Sequence, residues 1–174
     1  MKKWNLDGAH SEVGFSVRHM MISKVKGNFT DFEATIEADE NNLESANVEF
    51  KIDVASITTH NADRDAHLKS ADFFEAEKYP HITFTATDIV KDGDDYKMTG
   101  DMTVKDVTLP VTFDVEFGGK AKNPWGAEVV AFSAAGKINR KDFGLTWNQA
   151  LETGGVMVGE DIKLNLELEA TQAE

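Results

Sequence analysis

Cysteine is missing altogether from the 174 residues. Disulfides, zinc–thiolate sites, iron–sulfur clusters and cysteine nucleophiles are therefore excluded, while the redox compartment stays open. Proline occurs only at Pro80, Pro110 and Pro124, and no Pro/Gly/Ser-rich stretch divides the chain. Residues 1–174 read as a single domain, of a usual length for one. Basic residues are outnumbered, 18 against 31 acidic, for a net charge of −13, and they form no stripe. Such a surface repels phosphate backbones and anionic headgroups, which argues against nucleic acid as a partner and against stable docking on an acidic bilayer. The acidity reads first as solubility. No run approaches the roughly 18 apolar residues of a membrane span, so no stable membrane insertion is expected. No apolar segment follows Met1, Lys2 and Lys3 in the manner of a signal peptide. With Met1 as the native start the expected location is cytoplasmic; with a leader removed it is periplasmic or secreted.

What the chain does have is alternation with period two, the mark of strands with one buried face. Phe15, Val17 and His19 alternate with Gly14, Ser16 and Arg18. Val48, Phe50, Ile52 and Val54 form a second series; Ile82, Phe84 and Ala86 a third; Met98, Gly100, Met102 and Val104 a fourth. The longest runs through Val107, Leu109, Val111, Phe113, Val115 and Phe117. Val130, Phe132 and Ala134, then Ile162, Leu164, Leu166 and Leu168, complete the set. Asp92-Gly93-Asp94-Asp95 reads as a hairpin turn. Gly118-Gly119 is expected to end the longest strand, and Asn123-Pro124-Trp125-Gly126 to form a loop. Pro110 cannot donate to a ladder, so it marks an edge, a bulge or a strand junction.

One stretch, His60 to Phe74, breaks the alternation. Asn61 is a plausible N-cap, and Asp63 and Asp65 then fall in a first helical turn, where acids are favoured. A short helix follows, with Phe73 and Phe74 folding back onto the sheet. About eight antiparallel strands and one helix suggest an all-β barrel, closed to remove its edges. A barrel of that size is either filled by its own side chains or holds one slender ligand, and the pattern alone favours the filled core.

Chemical motifs are scarce. Of the five histidines, His60 and His67 could share a helix face with Asp63 and hold a metal, but such a triad arises readily by chance in an acidic chain and solvated helix-face residues are the favoured reading. Asp142-Phe143-Gly144 matches the kinase magnesium triplet by letters only, with no glycine-rich loop or catalytic loop beside it. Asp92-Gly93-Asp94 lacks the remainder of a calcium loop.

Several strings, in order along essentially the whole chain, resemble the YceI-like family of lipocalin-like, isoprenoid-binding proteins. Trp4-Asn5-Leu6-Asp7, His10-Ser11 and Phe15-Ser16-Val17-Arg18-His19-Met20 resemble its start, and Val25-Lys26-Gly27-Asn28-Phe29 follows. Ser56 to Asn61, Arg64 to Phe74 and Tyr79 to Phe84 carry the most specific match. Gly100 to Val104 and Arg140 to Leu145 complete it, although a glycine-containing turn is usual where this chain has Lys105-Asp106. The resemblance implies a lipocalin-like eight-stranded antiparallel barrel with a helix at Arg64–Phe74. It implies an open apolar tunnel rather than a filled core, taking a polyisoprenoid, an isoprenoid quinone or a similar long-chain lipid. It implies storage or transport without catalysis and without a cofactor.

Strand parity nominates Phe15, Val17, His19, Phe29, Phe50, Ile52, Phe74, Phe84, Phe113 and Phe132 as the ligand-binding lining. His19, the one titratable group on an inward face, is nominated for the ligand head. Three rival readings stand beside this one. They are an enzyme on an amphiphile with His19 as general base, a stress-response interaction module with a vestigial tunnel, and a metal site at His60, Asp63 and His67. A homodimer is left open.

Overall fold

The computed structural model describes residues 1–20, 22–39, 41–148 and 158–173. Eleven hydrogen-bonded segments make one sheet. They are β1 (Lys2–Leu6), β2 (Glu12–His19), β3 (Ser23–Phe29), β4 (Phe32–Asp39), β5 (Asn42–Asp53) and β6 (Ile57–Thr58), then β7 (His81–Asp92), β8 (Asp95–Val104), β9 (Val107–Lys122), β10 (Glu128–Asn139) and β11 (Val158–Gln172). The helix α1 (Ala62–Lys69) lies between β6 and β7.

The pairing resolves these segments into a closed barrel of eight antiparallel strands. β1 and β2 are halves of one strand, parted by a single 3-10 turn at Gly8–His10, where the Asp7 side chain accepts from the Ala9 and His10 amides. β3 and β4 are likewise halves of the second strand. β5 and β6 are halves of the third, parted at Val54–Ser56 under an Asp53 cap. Accordingly β1 pairs with β4 and β2 with β3, while β4 pairs with β5 and β3 with β6. From β7 to β11 each strand pairs with the next. β11 then returns to both halves of the first strand, with Trp4 opposite Gln172 and Val13 opposite Leu166. Closure leaves no long unpaired edge to template association.

Local chemistry explains the joints. Asp92 and Asp95 close a two-residue hairpin with Gly93 in the left-handed region (φ 64°), as its sequence predicts. Gly118-Gly119 does not end β9. The strand runs on to Lys122, and the pair forms a bulge against β10, with Gly119 at φ 114°. Pro110 is opposite Asp101 of β8, beyond the stretch of β9 that pairs with β10, so its missing donor costs little there.

Asn61 caps α1 by accepting from the Arg64 amide at 3.0 Å. The helix is shorter than the family resemblance implies, ending at Lys69 rather than Phe74. Ser70 competes for the last turn: its hydroxyl donates to the His67 carbonyl at 2.6 Å. The chain then folds into tight turns that send Phe73 and Phe74 back against the barrel.

Candidate functional site

Two cavities lie inside the barrel, of about 150 Å³ and about 100 Å³. Both are walled almost wholly by carbon. The larger, here chamber 1, occupies the half of the barrel nearer α1, where Leu68, Phe73 and Phe74 close over it. The smaller, chamber 2, sits in the half nearer the chain termini, among Trp4, Ala38, Tyr96, Phe117, Phe132 and Ala170. Phe50, Met98, Ala134 and Leu168 line both.

Side chains of matching parity meet the lumen differently around the ring. On β5, β7, β8 and β9 they pack tightly: Phe84 is 5 % exposed and Phe113 4 %. On β2 and β11, Phe15, Val17, Ile162, Leu164, Leu166 and Leu168 all line chamber 1 or 2 and yet remain only half-buried. Their residual exposure is to the unfilled lumen, since the alternate residues Lys163, Asn165 and Glu167 take the outer face.

Inward-facing glycines make part of this room. A Cβ at Gly100 would lie 2.5 Å from the Phe84 ring, one at Gly27 2.5 Å from the Phe15 ring, and one at Gly136 2.9 Å from the Phe113 ring. Each phenylalanine lies down over a neighbouring glycine instead of standing into the lumen. The phenyl surface stays, and the space in front of it is kept.

The end of chamber 1 is sealed by a buried cation. Arg140 is 1 % exposed and is its only ionisable wall residue among those described. Its guanidinium donates to four backbone carbonyls: Gly159 at 2.8 Å, Leu145 at 2.6 Å, Trp147 at 2.9 Å and Val158 at 3.3 Å. Burial pushes its pKa down, opposed by the charge of Glu160. With its donors turned to carbonyls, Arg140 ties the Leu145–Trp147 segment to the start of β11 and presents its apolar stem to the lumen. Asn148 reinforces the seam by exchanging two bonds with the Val158 backbone, at 2.8 and 3.1 Å. Trp147 meets the His67 ring at 4.7 Å and the Phe73 ring at 5.4 Å, which joins this seam to α1. Sequence reasoning passed over Arg140 although it opens one of the family-like strings. The available signal was an arginine two residues after Ile138, at the next position of the same parity.

Among the nominated lining residues, Phe15, Val17, Phe29, Phe50, Ile52, Phe74, Phe84 and Phe113 border chamber 1, and Phe132 borders chamber 2. His19 borders neither. His19 is the last residue of β2: its register against β3 runs unbroken to Ser23 and Arg18 stays exposed, so the imidazole keeps its parity but lies past the end of the chamber lining, where the register against β11 jumps from Ile162 to Val158. His60, Asp63 and His67 do not converge either: His67 Nε2 pairs with Asp72 at 2.9 Å, and His60 stands in a left-handed turn before the helix. Among the described residues the convergent metal-type group is instead Asp7, His10 and Glu169, on the outer surface. Asp7 and His10 already bond each other at 2.8 Å, which raises the His10 pKa and lowers that of Asp7. Among those residues no helix is long and apolar enough to cross a membrane.

Comparison with known proteins agrees with this architecture. A UPF0312 protein of Staphylococcus aureus is 43% identical over 175 residues, covering 100% of both chains. The solved YceI protein of Campylobacter jejuni is 42% identical, covers 100% of both chains and superposes with a TM-score of 0.77. A solved polyisoprenoid binding domain from Saccharophagus degradans, implicated in plant cell wall breakdown, shares the fold with a TM-score of 0.68 at 13% identity, over 99% of this chain and 100% of that one. The YceI-like domain model matches residues 4–170, and the chain belongs to the YceI-like family.

Proposed function

We propose that this barrel binds a polyisoprenoid or a similar long-chain amphiphile within its lumen and thereby stores or carries it. The observation that carries the reading is the inner wall of β2 and β11, where a continuous apolar face stays only half-buried against the unfilled lumen. Each Å² of such surface covered by a ligand chain contributes about 25 cal/mol, and a preformed lumen requires little reorganisation. The binding property in the name of the Saccharophagus domain supports the same ligand class. Among the described residues the one ionisable group in the wall of chamber 1, Arg140, directs its guanidinium to four backbone carbonyls, which favours a carrier over a catalyst. A turnover assay separates the two, because a carrier returns its ligand unchanged.

The test is organic extraction of natively purified protein followed by mass spectrometry, with added isoprenoid quinone as a second arm. A near-stoichiometric prenyl or long-chain species is expected. A clean extract together with no uptake of added quinone would turn the reading to an interaction module. Leu166→Asp places an unpaired carboxylate in the hollow wall and is expected to abolish uptake, because no polar partner awaits it there. Undiminished lipid content in that variant would remove the lumen as the binding site.

A further inference from the structure

The two chambers meet at four side chains contributed by four separate strands: Phe50 from β5, Met98 from β8, Ala134 from β10 and Leu168 from β11. Three of these are large. The fourth is a methyl group, and it is buried at 6 % exposure. Ala134 is therefore the point at which the ring is thinnest. Its strand neighbours on the same face are Phe132 and Gly136, and the Phe113 ring lies over that glycine, so Ala134 is the small position that no aromatic ring is shown to cover. Met98, directly opposite Phe113 on the next strand, is the most conformationally adaptable member of the ring.

We infer that Ala134 and Met98 form a neck that sets ligand chain length, admitting a single chain that lies in chamber 1 and threads through to chamber 2. The inference rests on the proposal that the lumen takes an amphiphile. A compact ligand needs only the larger chamber. A chain longer than chamber 1 must pass Ala134, and each added segment that reaches chamber 2 gains burial against Ile36, Val115 and Phe117. The ligand class is accordingly a slender linear chain, such as a polyprenyl tail, rather than a fused-ring lipid of the same volume, which the ring of four side chains would stop.

The experiment measures affinities of wild type, Ala134→Leu and Met98→Phe for farnesol and for an octaprenyl quinone, with thermal melts to confirm folding. Two variants at separate ring positions guard against one failing to fold. The expected result in each folded variant is a loss of octaprenyl affinity about tenfold or more greater than the loss of farnesol affinity. Equal losses for both ligands, or no loss for either, would overturn the neck. If wild type binds neither probe, the amphiphile reading itself fails, and the neck with it. A cholesterol affinity matching that of the octaprenyl quinone in wild type would also overturn the inference.

Discussion

The two walls of this barrel are written in the same alternating pattern and do different work. The wall of β5, β7, β8 and β9 buries Phe50, Ile82, Phe84, Met102, Val111 and Phe113 against one another. Phe84 and Phe113 meet edge to face at 5.3 Å. The wall of β2 and β11 presents a comparable apolar row that packs only in part against this cluster and leaves the rest of its surface to the lumen. One wall is the better packed, and the other turns more of its apolar surface to the lumen in which the ligand is proposed to lie. In an up-and-down barrel every strand contributes to both faces, so the division is set by ring orientation and by glycine, not by hydrophobicity.

Truncation should separate the walls most sharply. Phe113→Ala removes a packed ring and leaves a void beside Gly136, at an expected cost of about 4 kcal/mol. Leu164→Ala, on the hollow wall opposite Gly136 in register, removes a side chain already part-exposed to the lumen, and its cost should be nearer about 1.5 kcal/mol. Urea melts of the two variants check this. Equal losses would mean that the cavity is closed by packing in solution and that the two walls are energetically one.

Addition gives the converse test with a smaller effect. Gly100→Ala puts a methyl group against both the Phe84 ring and the Thr85 carbonyl, each at 2.5 Å. A backbone atom cannot rotate away, so the variant should lose about 2 kcal/mol and swing the Phe84 ring into the lumen. Leu164→Phe adds more atoms in total but has room in front of it. It should fold within about 1 kcal/mol of wild type while reducing uptake of a long-chain ligand. Chemical denaturation and a ligand titration on both variants report the two effects separately. A larger stability loss from Leu164→Phe than from Gly100→Ala would reverse the assignment of the walls.

The division between walls also marks what could be read before the fold. Strand parity placed Phe84, Phe113 and Phe132 on the lumen correctly, because inward and outward positions alternate whatever lies inside. It could not say that Phe84 reclines over Gly100, since that depends on a diagonal neighbour from another strand. It gave no sign that His19, at the last position of β2, lies beyond the residues that line the chamber. Nor could it see that Gly118-Gly119 bends a strand instead of ending it, because a glycine pair suits a bulge and a turn equally. Arg140 was the largest omission. Its partners are backbone carbonyls from two segments, and carbonyls carry no residue signature. The Asn61 cap was legible because both of its partners are within one helical turn.

The smallest expected effect concerns the turn between β8 and β9, where the family resemblance implied a glycine and this chain has Lys105-Asp106. The structure keeps the two-residue hairpin between Val104 and Val107 by holding Lys105 at φ 57°. A side chain in that region costs about 1–2 kcal/mol relative to one free of the strain. Lys105 recovers part of this by placing its ammonium 6.0 Å from the Tyr79 ring centre, a contact of about 0.5 kcal/mol at an exposed site. Lys105→Gly relieves the strain and forfeits the contact and some chain entropy in the unfolded state. The net gain should be about 0.5 kcal/mol, seen as a small rise in denaturation midpoint without a change in slope. The turn joins β8 to β9, neither of which pairs with β2 or β11, so ligand affinity should not move. A fall in stability would show that the Lys105–Tyr79 contact outweighs the backbone strain. A change in ligand affinity would show that the packed wall transmits strain into the lumen, and the functional independence of the two walls would have to be given up.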